Sequence, residues 1–134
     1  MSNHFDYIAI GGGSGGIAGI NRAAQYGAKC AIVEQDRLGG TCVNVGCVPK
    51  KVMWFAAATA DSIQHAANYG FDVSLKKFDW AILKQRRDAY IKRLNGIYAN
   101  NLDNNKVSSI NGTATFIDAN TIQVGDQQYT ADKF

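Results

Sequence analysis

At 134 residues, 46% hydrophobic and 19% charged, the chain can form one compact core and has the composition of a soluble globular protein. No run approaches the roughly 20 apolar residues of a membrane span, and a net charge of +3 from scattered basic residues argues against a nucleic-acid partner. Met1 to Asp6 lacks the basic-then-apolar pattern of a signal peptide, and there are only three cysteines, so a cytoplasmic protein is the expectation.

Residues 5–10 are mostly apolar and end at a glycine cluster, which predicts a short strand. From Ile17 to Tyr26 the apolar residues take helical spacing, and Gly27 is placed to cap the helix end. Lys29 to Glu34 predicts a second strand, so strand, helix and strand form a crossover unit with parallel strands. A helix follows over 50–67, then a polar connection with aromatic interruptions from Asn68 to Phe78, then a long helix from Asp79 to about Leu102. After the turn-forming Asp103-Asn104-Asn105 come short apolar alternations at Val107–Ile110, Thr113–Ile117, Thr121–Val124 and Gln128–Thr130. Between them lie Asn111-Gly112, Asp118-Ala119-Asn120 and Gly125-Asp126, which suit turns. The expected fold class is α/β. It comprises a Rossmann-like parallel sheet with helices, extended by one more parallel strand and followed by a small antiparallel meander near the C-terminus.

Gly11-Gly12-Gly13-Ser14-Gly15-Gly16 satisfies G-x-G-x-x-G at Gly11, Gly13 and Gly16. The first glycine permits the tight turn, the second lets a pyrophosphate reach the backbone, and the third lets helix and strand pack closely. Helix amides and dipole then face the anion. A strand precedes the loop, a helix follows it, and the second strand ends in Glu34, 23 residues past Gly11 (34 − 11). A carboxylate there suits a ribose hydroxyl and repels a 2′-phosphate, so the expected ligand at this loop is FAD or NAD rather than NADP.

The cysteine pair lies in Gly39-Gly40-Thr41-Cys42-Val43-Asn44-Val45-Gly46-Cys47-Val48-Pro49-Lys50-Lys51. C-x4-C lacks the second ligand pair of a tetrahedral zinc site, and His4 and His65 are not at ligand spacing, so no metal is expected. A structural disulfide closing so short a loop would stabilise little, roughly 2 kcal/mol. In a regular helix, residues five apart have Cα atoms about 8.6 Å apart, beyond the usual disulfide limit of about 7 Å. A bridged pair therefore needs a distorted segment, for which Gly46 and Pro49 are suitable, and a redox role is favoured. Cys30, within an apolar run, reads as a buried inert thiol.

Together the glycine loop and the string GGTCVNVGCVPKK resemble the pyridine nucleotide-disulfide oxidoreductases, over essentially the whole chain. The resemblance implies an oxidoreductase that passes electrons from NADPH to FAD, then to this disulfide, then to a disulfide substrate. It implies that Cys47 lies against the flavin as the charge-transfer thiolate, and that Cys42 attacks the substrate and forms a mixed disulfide. Lys50 corresponds to the family lysine near the flavin's reactive nitrogen. With the loop glycines, Ser14, Gly15, Glu34, Gly40, Thr41, Cys42, Lys50 and the backbone near Ala114 correspond to FAD contacts.

The run from Val48 to Trp54 resembles family members that act on glutathione disulfide; members acting on lipoamide usually have serine in place of the first lysine. Arg87 to Tyr98 resembles the helix lining the glutathione site, with Tyr90, Leu94 and Tyr98 on one face at i, i+4, i+8. Tyr98, Tyr90 and, where some members have an arginine, Asn21 are the implied substrate contacts. Members acting on trypanothione disulfide are the nearest alternative, and a standalone FAD-binding or thiol redox module is the alternative of a different class. Residues 1–134 are expected to be the amino-terminal part of an FAD-binding domain. The NADPH domain, the dimer-interface domain of a homodimer and a further parallel strand are expected beyond Phe134.

Overall fold

The computed structural model describes residues 3–134. The first crossover unit is β1 (His4–Ile10), α1 (Ser14–Gln25) and β2 (Cys30–Glu34), with β1 and β2 parallel in the register Ile8 to Ala31 and Ile10 to Val33. The helix starts three residues earlier than its apolar spacing implies, because Ser14, Gly15 and Gly16 already form its first turn. It ends as expected: Gly27 adopts φ +94°, and the Gly27 and Ala28 amides donate back to Ala24 O and Ala23 O, closing a Schellman motif.

A five-residue helix α2 (Gly40–Asn44) and a long α3 (Cys47–His65) follow, separated by Val45 and Gly46. The helix expected from residue 50 thus begins at Cys47, since Pro49 falls in the first turn, where its missing N–H costs nothing. A 3₁₀ turn at Ala66–Tyr69 leads to an extended segment and to α4 (Trp80–Asn104), whose N-cap Asp79 accepts from the Ala81 and Ile82 amides. α4 runs two residues past Leu102 to Asn104, so the expected turn comes later, at Asn105 and Lys106, with Lys106 at φ +57°. There the Lys106 and Val107 amides donate to Asp103 O and Leu102 O, and buried Leu102 and Val107 belong to one cluster.

β3 (Ser108–Asn111) pairs parallel with β2, and β4 (Ala114–Asp118), β5 (Thr121–Val124) and β6 (Gln127–Lys133) form the antiparallel meander. The fold class is thus the α/β class read from the sequence, with one correction of topology. β6 is longer than the Gln128–Thr130 segment, and it pairs parallel with β1 through His4 to Thr130 and Phe5 to Ala131. All six strands form one sheet ordered β3-β2-β1-β6-β5-β4. β1 is therefore paired in parallel on both sides, by β2 and β6, within the described residues.

Alternation along β2 sends Cys30 and Ile32 to one face, where α1 and α4 contribute Ile17, Ile20 and Leu102. Ala31 and Val33 face the opposite side, with Phe5, Ile8, Ile122, Val124 and Ala131. Burial on both faces explains why this strand reads as a continuous apolar run. Ile8, Ile20, Ile32, Leu102 and Ile122 are almost wholly enclosed, each contributing about 1.5–3 kcal/mol by burial.

Lys106 holds a left-handed conformation that a β-carbon disfavours. Lys106→Gly keeps the cap and relieves that strain. Its thermal melt should rise by about 2–4 °C, corresponding to a gain of roughly 0.5–1 kcal/mol.

Candidate functional site

The glycine loop sits at the C-terminal ends of β1 and β2, held to its surroundings by backbone bonds. Gly11 N donates to Val33 O at 2.8 Å and Gly39 N to Gly12 O at 2.7 Å. A β-carbon at Gly16 would collide with the Gly11 carbonyl oxygen, so the third motif glycine is required by helix-to-strand packing. A β-carbon at Gly13 or Gly15 would instead meet nothing within 4 Å, leaving open space over the start of α1. The α1 N-cap, Gly13, supplies no side-chain acceptor to the first helical amides, and Ser14 is exposed beside them. An anion of phosphate size fits that arrangement.

Glu34 ends β2 and faces this loop. Its Oε2 accepts from Gly12 N at 2.6 Å and its Oε1 from Asp36 N at 2.8 Å. Each oxygen keeps a further lone pair for a ribose hydroxyl. Beside it is a cavity of about 210 Å³ lined by Ile10, Gly11, Val33, Glu34 and Gln35 from one side and Gly112, Thr113 and Ala114 from the other. The three strand ends and the β3–β4 turn thus bring Gly11, Glu34 and Ala114 together. Gln35 was missed in the sequence: its Oε1 accepts from Thr113 Oγ1 at 2.9 Å, tying the two walls. No local pattern marks that contact.

The path from the glycine loop to the cysteines is short. Gly40, at φ +59°, brings α2 so close that a β-carbon there would lie 2.9 Å from Gly13 Cα. Exposed Thr41 and half-buried Cys42 are on α2, and exposed Cys47 opens α3. The helix break expected for a bridgeable pair is present. Gly46 folds back so far that a β-carbon would stand 2.9 Å from Thr41 O and 3.3 Å from Cys42 Cα. All three cysteines are free thiols, with Cys30 buried as expected.

The neighbouring Cys47 thiol, acting as a hydrogen-bond partner, and then desolvation raise Cys42 above the usual thiol range. The Cys47 amide and the Lys50 charge act in the opposite sense on the same sulfur. Lys50 is exposed one turn into α3, so its ammonium shares the neighbourhood of the pair. Burial, then Asp6, raises Cys30.

The implied substrate residues are placed less uniformly. Tyr90 is 43% exposed on α4. Tyr98 is half-buried and packs on the Ile17–Leu102 cluster, so one side of its ring serves the core. The Asn21 amide is engaged at both ends: it donates to Ile17 O at 2.9 Å and accepts from Asn105 Nδ2 at 2.7 Å. It joins α1 to the C-cap of α4. A groove of about 440 Å³ runs between α3 and α4, with Gly46, Lys50, Arg87 and Asp88 on its walls. Arg87, then Lys84, draws the Asp88 carboxyl below its ordinary value.

A family model described as pyridine nucleotide-disulphide oxidoreductase matches residues 5–134. A curated glutathione reductase of Yarrowia lipolytica is 58% identical over 116 residues, which cover 84% of this chain and 25% of the relative. Another, of Debaryomyces hansenii, is 50% identical over 133 residues, covering 94% of this chain and 26% of the relative. The chain spans about a quarter of the length of these relatives.

The thiol geometry has a measurable consequence. A thiol raised by a bond to its neighbour stays protonated to higher pH, so alkylation of Cys42 should rise only above the usual thiol range. Cys47→Ala removes the largest cause and should shift that profile to lower pH. Peptide mapping of iodoacetamide labelling against pH checks both, with Cys30 labelled last in the folded chain. An unshifted Cys42 profile would break the assignment.

Proposed function

The chain belongs to the pyridine nucleotide-disulphide oxidoreductases, and from that premise we propose that it carries the FAD-binding loop and the redox dithiol of a glutathione-disulfide reductase. The close approach of Gly46 to the Cys42 backbone at the break between two helices, beside the glycine loop, carries this reading. The two curated relatives named glutathione reductase favour glutathione disulfide over other disulfide substrates. FAD would be held by the Gly11–Gly16 loop through its pyrophosphate, by Glu34 through a ribose hydroxyl, and by the walls around Ala114. Gly40, Thr41, Cys42 and Lys50 would lie along its course toward the dithiol. When bound, FAD supplies the two-electron relay from NADPH that returns the Cys42–Cys47 disulfide to the dithiol.

The residues of this chain then act in order. Cys42, as thiolate, attacks one sulfur of glutathione disulfide; a mixed disulfide forms and the first glutathione leaves, taking up a proton. Cys47, as thiolate, attacks Cys42 Sγ; the second glutathione leaves and the intramolecular disulfide closes. The oxidised pair gains the bond that the substrate loses. Lys50, whose charge reaches the pair, favours the anionic sulfur in each step. Tyr98 and Tyr90 would border the substrate from α4. The Asn21 amide is used within the fold, which gives it little to offer a substrate carboxylate. A reducing compartment such as the cytoplasm suits this couple, and no described helix is long and apolar enough to cross a membrane.

The remaining parts of the reductase, including NADPH binding, the homodimer interface and the acid that protonates the leaving thiol, would be supplied outside residues 1–134. Large apolar side chains lie open on α3, α4 and the segment between them, with Trp54 69%, Phe71 65% and Trp80 53% exposed. Such a surface favours association. The 134-residue chain supplied with FAD and NADPH should therefore associate and reduce no glutathione disulfide. The full-length protein should turn over, and Cys42→Ser should abolish that turnover while keeping the flavin spectrum. Turnover by a monomeric 134-residue chain would favour a standalone module instead.

The ribose assignment has its own test. Glu34→Ala in the full-length protein should weaken FAD binding about ten- to hundredfold, corresponding to one charge-assisted hydrogen bond of about 1.5–3 kcal/mol. Fluorescence titration of FAD measures it; an unchanged Kd would reduce Glu34 to a brace for Gly12.

A further inference from the structure

Asn44, midway between the two cysteines, is the one buried polar residue among those described, at 9% exposure. Its Nδ2 faces three carbonyl oxygens, Gly40 O at 2.9 Å, Leu38 O at 3.2 Å and Arg37 O at 3.3 Å. It thereby folds the segment entering α2 against the end of that helix. Asn95, from the middle of α4, completes the arrangement. Its Nδ2 donates to Leu38 O at 2.7 Å and to Asn44 Oδ1 at 3.0 Å. A buried carboxamide with every polar atom engaged is costly to disturb, because each freed group would be left without water.

Cys42 lies two residues before Asn44, and Cys47 three residues after it. The residues between Asn44 and Cys47 are only Val45 and Gly46, and Gly46 already rests on the Cys42 backbone. Holding Asn44 therefore holds the hinge that sets the distance between the two sulfurs. The carboxamide pair also fixes that hinge to α4, the helix that carries Tyr90 and Tyr98.

We propose that Asn44 and Asn95 are positioning residues of the dithiol, a carboxamide brace that holds the Cys42 turn against α4 and sets how readily the two sulfurs bond. The inference rests on the disulfide-reductase reading. An intramolecular disulfide forms in proportion to how well its thiols are held in bonding geometry. Loosening the hinge spreads the dithiol over more conformations and disfavours closure. The brace touches neither sulfur directly; it acts through the Val45–Gly46 hinge.

The experiment uses the full-length protein equilibrated in buffers of reduced and oxidised dithiothreitol. The fraction of Cys42 and Cys47 in the disulfide is counted by differential alkylation and mass spectrometry, and Cys30 protection reports that the fold is intact. Asn95→Leu removes both donated bonds at similar volume. It should lower the equilibrium constant for closing the disulfide roughly three- to tenfold, the range for one or two neutral hydrogen bonds. Asn95→Ala should act in the same direction and serves if the leucine variant does not fold. Asn44→Ala should lower the constant at least as far, and adding Asn95→Leu to it should cause little further loss, because the two act as one unit.

Ile122→Val, in the core cluster on the other side of the sheet, is the structural control. It should lower the melting temperature and leave the disulfide equilibrium unchanged. Equal shifts for Ile122→Val and Asn95→Leu at matched loss of stability would overturn the brace, as would an unmoved constant in the asparagine variants. A wild type that forms no Cys42–Cys47 disulfide at any ratio would sink the redox reading and the brace with it.

Discussion

The structure depends on backbone lying directly on backbone at three successive places. At Gly16 the start of α1 rests on the Gly11 carbonyl, at Gly40 the start of α2 rests on Gly13, and at Gly46 the hinge rests on Thr41 and Cys42. At each place a β-carbon would stand at or inside 2.9 Å of a backbone atom. The result is a continuous run of closely stacked chain from the turn after β1 to the cysteine pair. Side chains of ordinary size would push the pyrophosphate loop and the dithiol apart. Glycine is therefore needed here for approach, and only at Gly40 also for its left-handed backbone.

Local physics made the first half of this arrangement legible in the sequence. The alternation in residues 5–10, the helical spacing after Ile17 and the all-apolar run before Glu34 each report burial that repeats with the period of the element. The glycine spacing and the carboxylate at position 34 added the ligand geometry. The Gly46 break could be inferred from covalent limits alone, since two cysteines five apart cannot bridge within a regular helix. What the local pattern could not convey was partnership. Nothing in Gln127–Lys133 tells that it lies parallel to β1 rather than closing a separate hairpin sheet, because that pairing joins residues more than 120 positions apart. The same holds in part for Lys106: Asp103-Asn104-Asn105 announces a turn, but the left-handed backbone at Lys106 follows from Leu102 and Val107 both being buried in one cluster.

Polar residues were the least legible of all. Asn21, Asn44, Asn95 and Asn105 look alike in sequence, as short amides that suit solvent, turns or caps. In the fold they form two separate links, Asn21 with Asn105 and Asn44 with Asn95, each tying α4 to another element. A reading by resemblance alone placed Asn21 at the substrate because an arginine occupies that place in other members. In this fold its hydrogen bonds join α1 to the C-cap of α4. Replacing a long cation by a short amide changes which partner the side chain can reach.

These links give α4 a part beyond packing. Its C-terminal end is fixed to α1 by Asn105 and Asn21 and its middle to the cysteine turn by Asn95, while Leu102 anchors it to the sheet. The glycine loop is likewise fixed to the sheet through Val33 O and Glu34. Redox chemistry at a dithiol requires the two sulfurs to alternate between bonded and non-bonded distances, so something nearby must move while the loop stays still. The two helices are joined by Val45-Gly46 alone, where Val45 N donates to Thr41 O and Gly46 O accepts from Lys50 N. Held by Asn95 on one side and packed on Gly13 at Gly40 on the other, the backbone around the pair gives the two cysteine side chains a fixed frame in which to make that change.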